Sequence, residues 1–85
     1  MTERRILDEI TKLLETHGVE IRREDLGGSG GGLCVIQGRS VFFLDEQASI
    51  EDQLDACAEA VAKVMDLETC YMKPQVREYI DARGR

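Results

Sequence analysis

The stretch Ser49–Met65, SIEDQLDACAEAVAKVM, constrains the chain most, because it is the longest segment with an unbroken helical apolar period. Leu54, Ala58, Val61 and Met65 recur at steps of three and four, with Ile50, Cys57 and Val64 beside them, so one face of a helix is committed to a core. Ser49 and Asp52 approximate a capping box in which aspartate replaces the usual Glu or Gln, and they set where that helix begins. The stripe needs a covering layer, and only 85 residues are present to supply it. That length predicts one domain over 1–85, small enough that association with a second copy is an expected source of stability.

Ahead of this helix, Thr2 to His17 reads as another, with Thr2 as N-cap, Glu3 in the first turn, and Ile6, Leu7, Ile10, Leu13 and Leu14 on one face. Gly18 follows as the residue that closes it in the left-handed conformation. Val19–Arg23 alternates apolar and polar side chains, the period of a half-buried edge strand. Leu26 is then followed by five glycines in six positions, a mobile or tightly bent connection. Leu33–Gln37 and Ser40–Leu44 are β-rich runs joined through Gly38-Arg39, which suggests a hairpin with a type II′ turn. Both runs are apolar on both faces, so the sheet is expected to be covered on its second side by the last helix or by another copy. Leu67–Lys73 reads as a connector and Pro74–Ala82 as a short final helix with Val76, Tyr79 and Ile80 on its apolar face.

Charge and composition narrow the function classes. The net charge of −6 repels phosphate backbones, so nucleic acid is not an expected partner; Arg22, Arg23 and Arg39 could share one edge but read as a solvated face. The longest apolar runs span four residues, far short of the roughly 20 that a membrane helix needs, and the charged start MTERRILDEI lacks the form of a secretory signal. Three cysteines, an odd number without an export signal, point to reduced thiols in a cytoplasm.

Several residue groups carry potential chemistry. The glycine run lacks the Lys-Ser/Thr and the following helix of a phosphate loop. Cys34, Cys57, Cys70 and His17 contain the donor types of a zinc site but none of the paired spacing that structural zinc sites use, and they read instead as small hydrophobes and a helix-end histidine. A thiol-based sensor through Cys34, Cys57 or Cys70 is a further reading. Glu51 and Asp52 suit the first turn of their helix, while Asp55 and Glu59 mark its solvated face.

The order LLETHGVEIRREDL, a glycine-bearing turn, GLCVIQGRSVFFLD and an S-x-E-x-Q helix start resembles the N-terminal part of ImmA/IrrE-type zincin-like metallopeptidases. In that family the helix corresponding to Ser49–Met65 bears His-Glu-x-x-His, two zinc ligands around a general base. The resemblance puts Glu59 at the base position and Ala58 and Ala62 at the ligand positions, so this chain departs from the family at both ligands. It implies a pseudoenzyme; activity would require a metal held by Cys57 or Glu78. The ending YMKPQVREYI resembles that of small bacterial proteins.

The expected architecture is α+β in the order α-β-β-β-α-α. It has a three-stranded, mostly antiparallel sheet with two main helices packed on one face and a short C-terminal helix. The expected function is a non-catalytic cytoplasmic interaction or structural module with no cofactor, forming a homodimer through a sheet face or edge carrying Leu33, Val35, Val41 and Phe43, or through the opposite face. A metal-dependent, peptidase-like hydrolase with atypical ligands and a thiol-based sensor are the alternatives. Neither nucleic acid nor membrane is an expected partner.

Overall fold

The computed structural model describes residues 2–28, 31–66 and 70–83. Helix α1 (Glu3–Thr16) leads into strand β1 (Glu20–Glu24), the pair β2 (Gly31–Ile36) and β3 (Arg39–Asp45), then helices α2 (Ile50–Val64) and α3 (Pro74–Arg83), an α+β fold in the expected order. Ser29 and Gly30 of the glycine run and residues 67–69 of the connector lie outside the described residues.

Local chemistry sets the helix ends. Thr2 Oγ1 accepts from Arg5 N at 3.2 Å and Ser49 Oγ from Asp52 N at 3.1 Å, each satisfying a backbone donor that a first helical turn leaves open. At the other end of α1, Gly18 N donates to Glu15 O at 3.0 Å and Val19 N to Leu14 O at 3.1 Å, with Gly18 at φ +86°. This Schellman closure turns the chain directly into β1.

The sheet order is β1-β3-β2, with β3 central. It is mixed and not purely antiparallel: β2 runs antiparallel to β3, and β1 runs parallel to it. The parallel pair follows from the chain path: β2 runs opposite to β1 and β3 reverses again, and because β2 pairs on the far side of β3, the edge strand β1 lies beside a strand of its own direction. The hairpin also differs from the expected form. Gln37 (φ 52°) and Gly38 (φ 78°) are its two central residues, which makes a type I′ turn, and Arg39 pairs with Ile36 inside the ladder. Strand β2 begins at Gly31, two residues before the apolar run, because backbone pairing with Phe43 and Leu44 needs no side chain there.

One core holds the layers together. Ile6, Leu7, Ile10 and Leu14 of α1, Phe42 and Leu44 of β3, and Leu54, Cys57, Ala58, Ala60 and Val61 of α2 are buried in a single cluster. Full burial of each large aliphatic side chain removes about 1.5–3 kcal/mol of unfavourable hydration. Helix α1 packs against β1 and α2, and α2 packs against β2 and β3, so both helices share one sheet face. Helix α3 does not cover the second face: it packs on α1 and α2, through buried Val76 and Ile80, and Lys73 Nζ pairs with Glu9 at 2.5 Å. Among the described residues, no helix covers the second face of the sheet.

Candidate interaction surface

Strand register decides which residues share which face. Ile21, Phe42 and Leu33 form one cross-strand row, and Glu20, Val41 and Cys34 form the next, pointing the other way. Since Phe42 belongs to the core, Leu33 and Val35 face the helix side, whereas Val41, Phe43, Cys34 and Ile36 face the bare side. The four residues expected to form one docking surface are thus split between two faces.

The bare face is partly closed by charge. Arg22 Nε donates to Glu20 Oε2 at 2.6 Å, and Arg39 Nη1 approaches Glu20 Oε1 at 3.5 Å. These partners, Arg22 foremost, hold the Glu20 carboxyl below the usual carboxylate range. The trio surrounds a depression of about 400 Å³ shared with Ile36, Gln37 and Val41, and Val41 is only 2% exposed there. Arg23 lies one row away, on the other side of the pleat.

The two sheet edges differ in kind. Edge β1, sequence EIRRE, carries four charged residues in five, the device by which natural sheets discourage edge pairing. Edge β2, sequence GGLCVI, carries none. Val35 is 70% exposed, Ile36 is 46% exposed and Cys34 is exposed beside them. An uncharged edge with exposed β-branched side chains offers both backbone donors and acceptors and apolar area to an incoming strand.

The residues aligned with a zincin helix separate in space. Ala58 is 2% exposed in the core, while Ala62 is exposed. Glu59 is exposed and bonded to Lys63 Nζ at 3.2 Å. The cleft beside Glu59 is about 70 Å³ and is lined from α2 by Ala56, Ala60 and Lys63, not by Ala58 or Ala62, and from β2 by Gly31, Gly32 and Leu33. Cys57 is buried, and desolvation pushes its thiol up to about 12. Glu78 is exposed on α3.

Of Cys34, Cys57, Cys70 and His17, the structure brings one pair together. Cys70 Sγ lies 3.6 Å from His17 Nε2 and also 3.6 Å from Met65 Sδ. Among the described residues, no three of His, Cys, Asp and Glu are placed to hold a metal ion. The Cys70–His17 approach joins positions 53 apart in sequence, and no local spacing signals it. Edge β2 had a legible signal, an uncharged strand beside a glycine run, but its two-faced apolar pattern concealed that the exposed set is Cys34, Val35 and Ile36.

No family model, curated protein or solved structure matches the chain. Among the described residues, no helix is long and apolar enough to cross a membrane.

Proposed function

We propose that this chain is a non-catalytic interaction or structural module of the cytoplasm that works as a homodimer, two copies pairing antiparallel through β2. The observation that carries this reading is the contrast between the charged β1 edge and the uncharged, exposed β2 edge. A two-fold interface sets a strand against its own copy, so any charge on it meets a like charge at or near the axis. Arg22 at the middle of β1 would meet Arg22 there, whereas Gly31–Ile36 meets itself without repulsion. In a chain of net charge −6, a neutral contact strip is where two copies approach at least electrostatic cost. Pairing would extend the sheet to six strands and cover Val35 and Ile36.

The non-catalytic part is supported by the placement of the aligned zincin residues. Glu59 is engaged with Lys63 beside a cleft too small for a peptide, and neither Ala58 nor Ala62 faces that cleft. On this reading, a relationship to ImmA/IrrE-type enzymes is one of scaffold, with α2 retained as a packing helix.

Light scattering on a sizing column tests the dimer. The wild type is expected to show dimer mass that declines on dilution, and Val35→Lys with Ile36→Lys is expected to give monomer with unchanged far-ultraviolet dichroism. A wild type that is monomeric at hundreds of micromolar, or a dimer that survives both lysines, overturns the proposal.

A further inference from the structure

Cys70 lies between the C-caps of α1 and α2. His17 is the C-cap of α1, Met65 is the C-cap of α2, and Cys70, in the connection to α3, puts its Sγ 3.6 Å from both His17 Nε2 and Met65 Sδ. Cys70 Sγ also lies 3.6 Å from its neighbour's carbonyl, Tyr71 O. We propose that Cys70, His17 and Met65 form a binding site for a soft monovalent metal ion, copper(I), held by one thiolate, one imidazole and one thioether.

The spacing suits a shared ion. A metal bonded at about 2.3 Å to sulfur and about 2.0 Å to nitrogen keeps its donors roughly 3.5–4.0 Å apart for angles between tetrahedral and trigonal. The separations of Cys70 Sγ from His17 Nε2 and from Met65 Sδ both fall in that range, which makes Cys70 the donor an ion would share with each partner.

The histidine is already oriented. Its Nδ1 lies 2.9 Å from Leu13 O, and because a carbonyl only accepts, Nδ1 carries the hydrogen. In the neutral ring the lone pair then stands on Nε2, toward Cys70, the second-sphere arrangement that metal-binding histidines use. Cys70 is held from the backbone side, its N donating to Asp66 O at 3.0 Å and its carbonyl accepting from Arg77 Nη2 at 2.8 Å.

Donor chemistry selects the ion. Thiolate and thioether together favour copper(I) over harder divalent ions, and three donors suffice for copper(I), whereas structural zinc takes four. Charge agrees: one thiolate neutralises a monovalent ion, which matters next to Met65, only 9% exposed. The converging C-terminal ends of α1 and α2 add partial negative charge that favours a cation. Binding would displace the Cys70 thiol proton to the buffer, one per ion.

The site lies within one chain and stands or falls independently of β2 pairing. It is tested by anaerobic titration of copper(I) against a chromophoric copper(I) chelator, in a Cys34→Ser background that removes the exposed thiol. One ion per chain is expected to resist the chelator. Cys70→Ser is expected to abolish that binding, and His17→Gln and Met65→Leu each to weaken it at least tenfold. Met65→Leu preserves side-chain volume, and an unchanged thermal transition confirms its fold. X-ray absorption of the loaded protein is expected to show two sulfur scatterers and one nitrogen. Affinity within twofold of the parent in Met65→Leu reveals a thiol binding alone and overturns the proposal, as does retained copper in Cys70→Ser or a spectrum with a single sulfur.

Discussion

The carbonyl oxygen of Phe43 occupies the space a side chain at Gly31 would need: an ideal Cβ there would stand 2.0 Å from that oxygen. Gly31 sits at φ +79°, where β2 enters its ladder with β3, so both the conformation and the close approach demand glycine. Gly31→Ala is therefore expected to lower stability by about 3 kcal/mol or more, since the obstacle is backbone and cannot swing aside. Gly18→Ala supplies the contrast. Its φ is +86° but nothing lies within 4 Å of the added Cβ, so only the left-handed penalty of about 1–2 kcal/mol applies. Urea midpoints of the two variants should differ in that order.

Asp45 ends β3 fully buried, and its Oδ1 accepts from Leu26 N at 3.0 Å and Gln47 N at 2.9 Å. The carboxylate thereby clips the exit from β1 to the start of the turn before α2. Asp45→Ala leaves two amide donors without this acceptor and is expected to cost about 3 kcal/mol, while Asp45→Asn keeps an acceptor oxygen and should cost about 1 kcal/mol. Hydrogen exchange at Leu26 and Gln47 should accelerate most in the alanine variant, which distinguishes loss of the clip from general loosening.

Much of this fold was legible because local signals and packing agree. Thr2, Gly18, Ser49 and Pro74 mark helix ends by chemistry that acts over three or four residues, and the stripe from Leu54 to Met65 is buried as its period requires. What escaped was non-local. The parallel β1–β3 pairing depends on which side of β3 the hairpin partner lies, and strand periodicity is the same for either direction. Whether the last helix covers the second sheet face stayed open in the sequence because the apolar residues of α3 bind α1 and α2 instead, a choice its short Val76–Ile80 stripe does not encode. The pairing of Cys70 with His17 sets a residue between α2 and α3 against the C-cap of α1, and neither segment announces its neighbour.

Placing histidines at the two positions that the proposed zincin resemblance marks as ligands tests that resemblance through stability as well as through metal. Ala58→His places an imidazole where 2% of the residue is exposed and is expected to cost about 2–4 kcal/mol through overpacking and desolvation. Ala62→His falls on an exposed position and should stay within about 0.5 kcal/mol of wild type. The double variant is expected to bind no stoichiometric zinc by elemental analysis, because the cleft at Glu59 is lined by Ala56 and Ala60 instead.

Cys57 offers a prediction in pH. Its thiol is buried in the core, and desolvation is the main cause that raises it from 9.0 to about 12, with Arg23 only partly opposing the shift. Well below pH 9 the thiol is neutral in both folded and unfolded chains and contributes no pH dependence. Between 9 and 12 the unfolded chain releases this proton while the folded chain keeps it, so unfolding is progressively favoured. The resulting slope approaches about 1.4 kcal/mol per pH unit from this one group and ends as the folded thiol itself ionises. Cys57→Ala removes the group, so its stability relative to wild type is expected to improve steadily as pH rises from 8.5 to 10.5. Other groups contribute nearly equally to both proteins, and the difference between their urea midpoints isolates Cys57. Native protein at pH 8 should likewise leave Cys57 unmodified by a thiol reagent that reacts at once with exposed Cys34, and denaturant should release it. A parallel decline of both proteins with pH, or fast labelling of Cys57 in the native state, would contradict its burial.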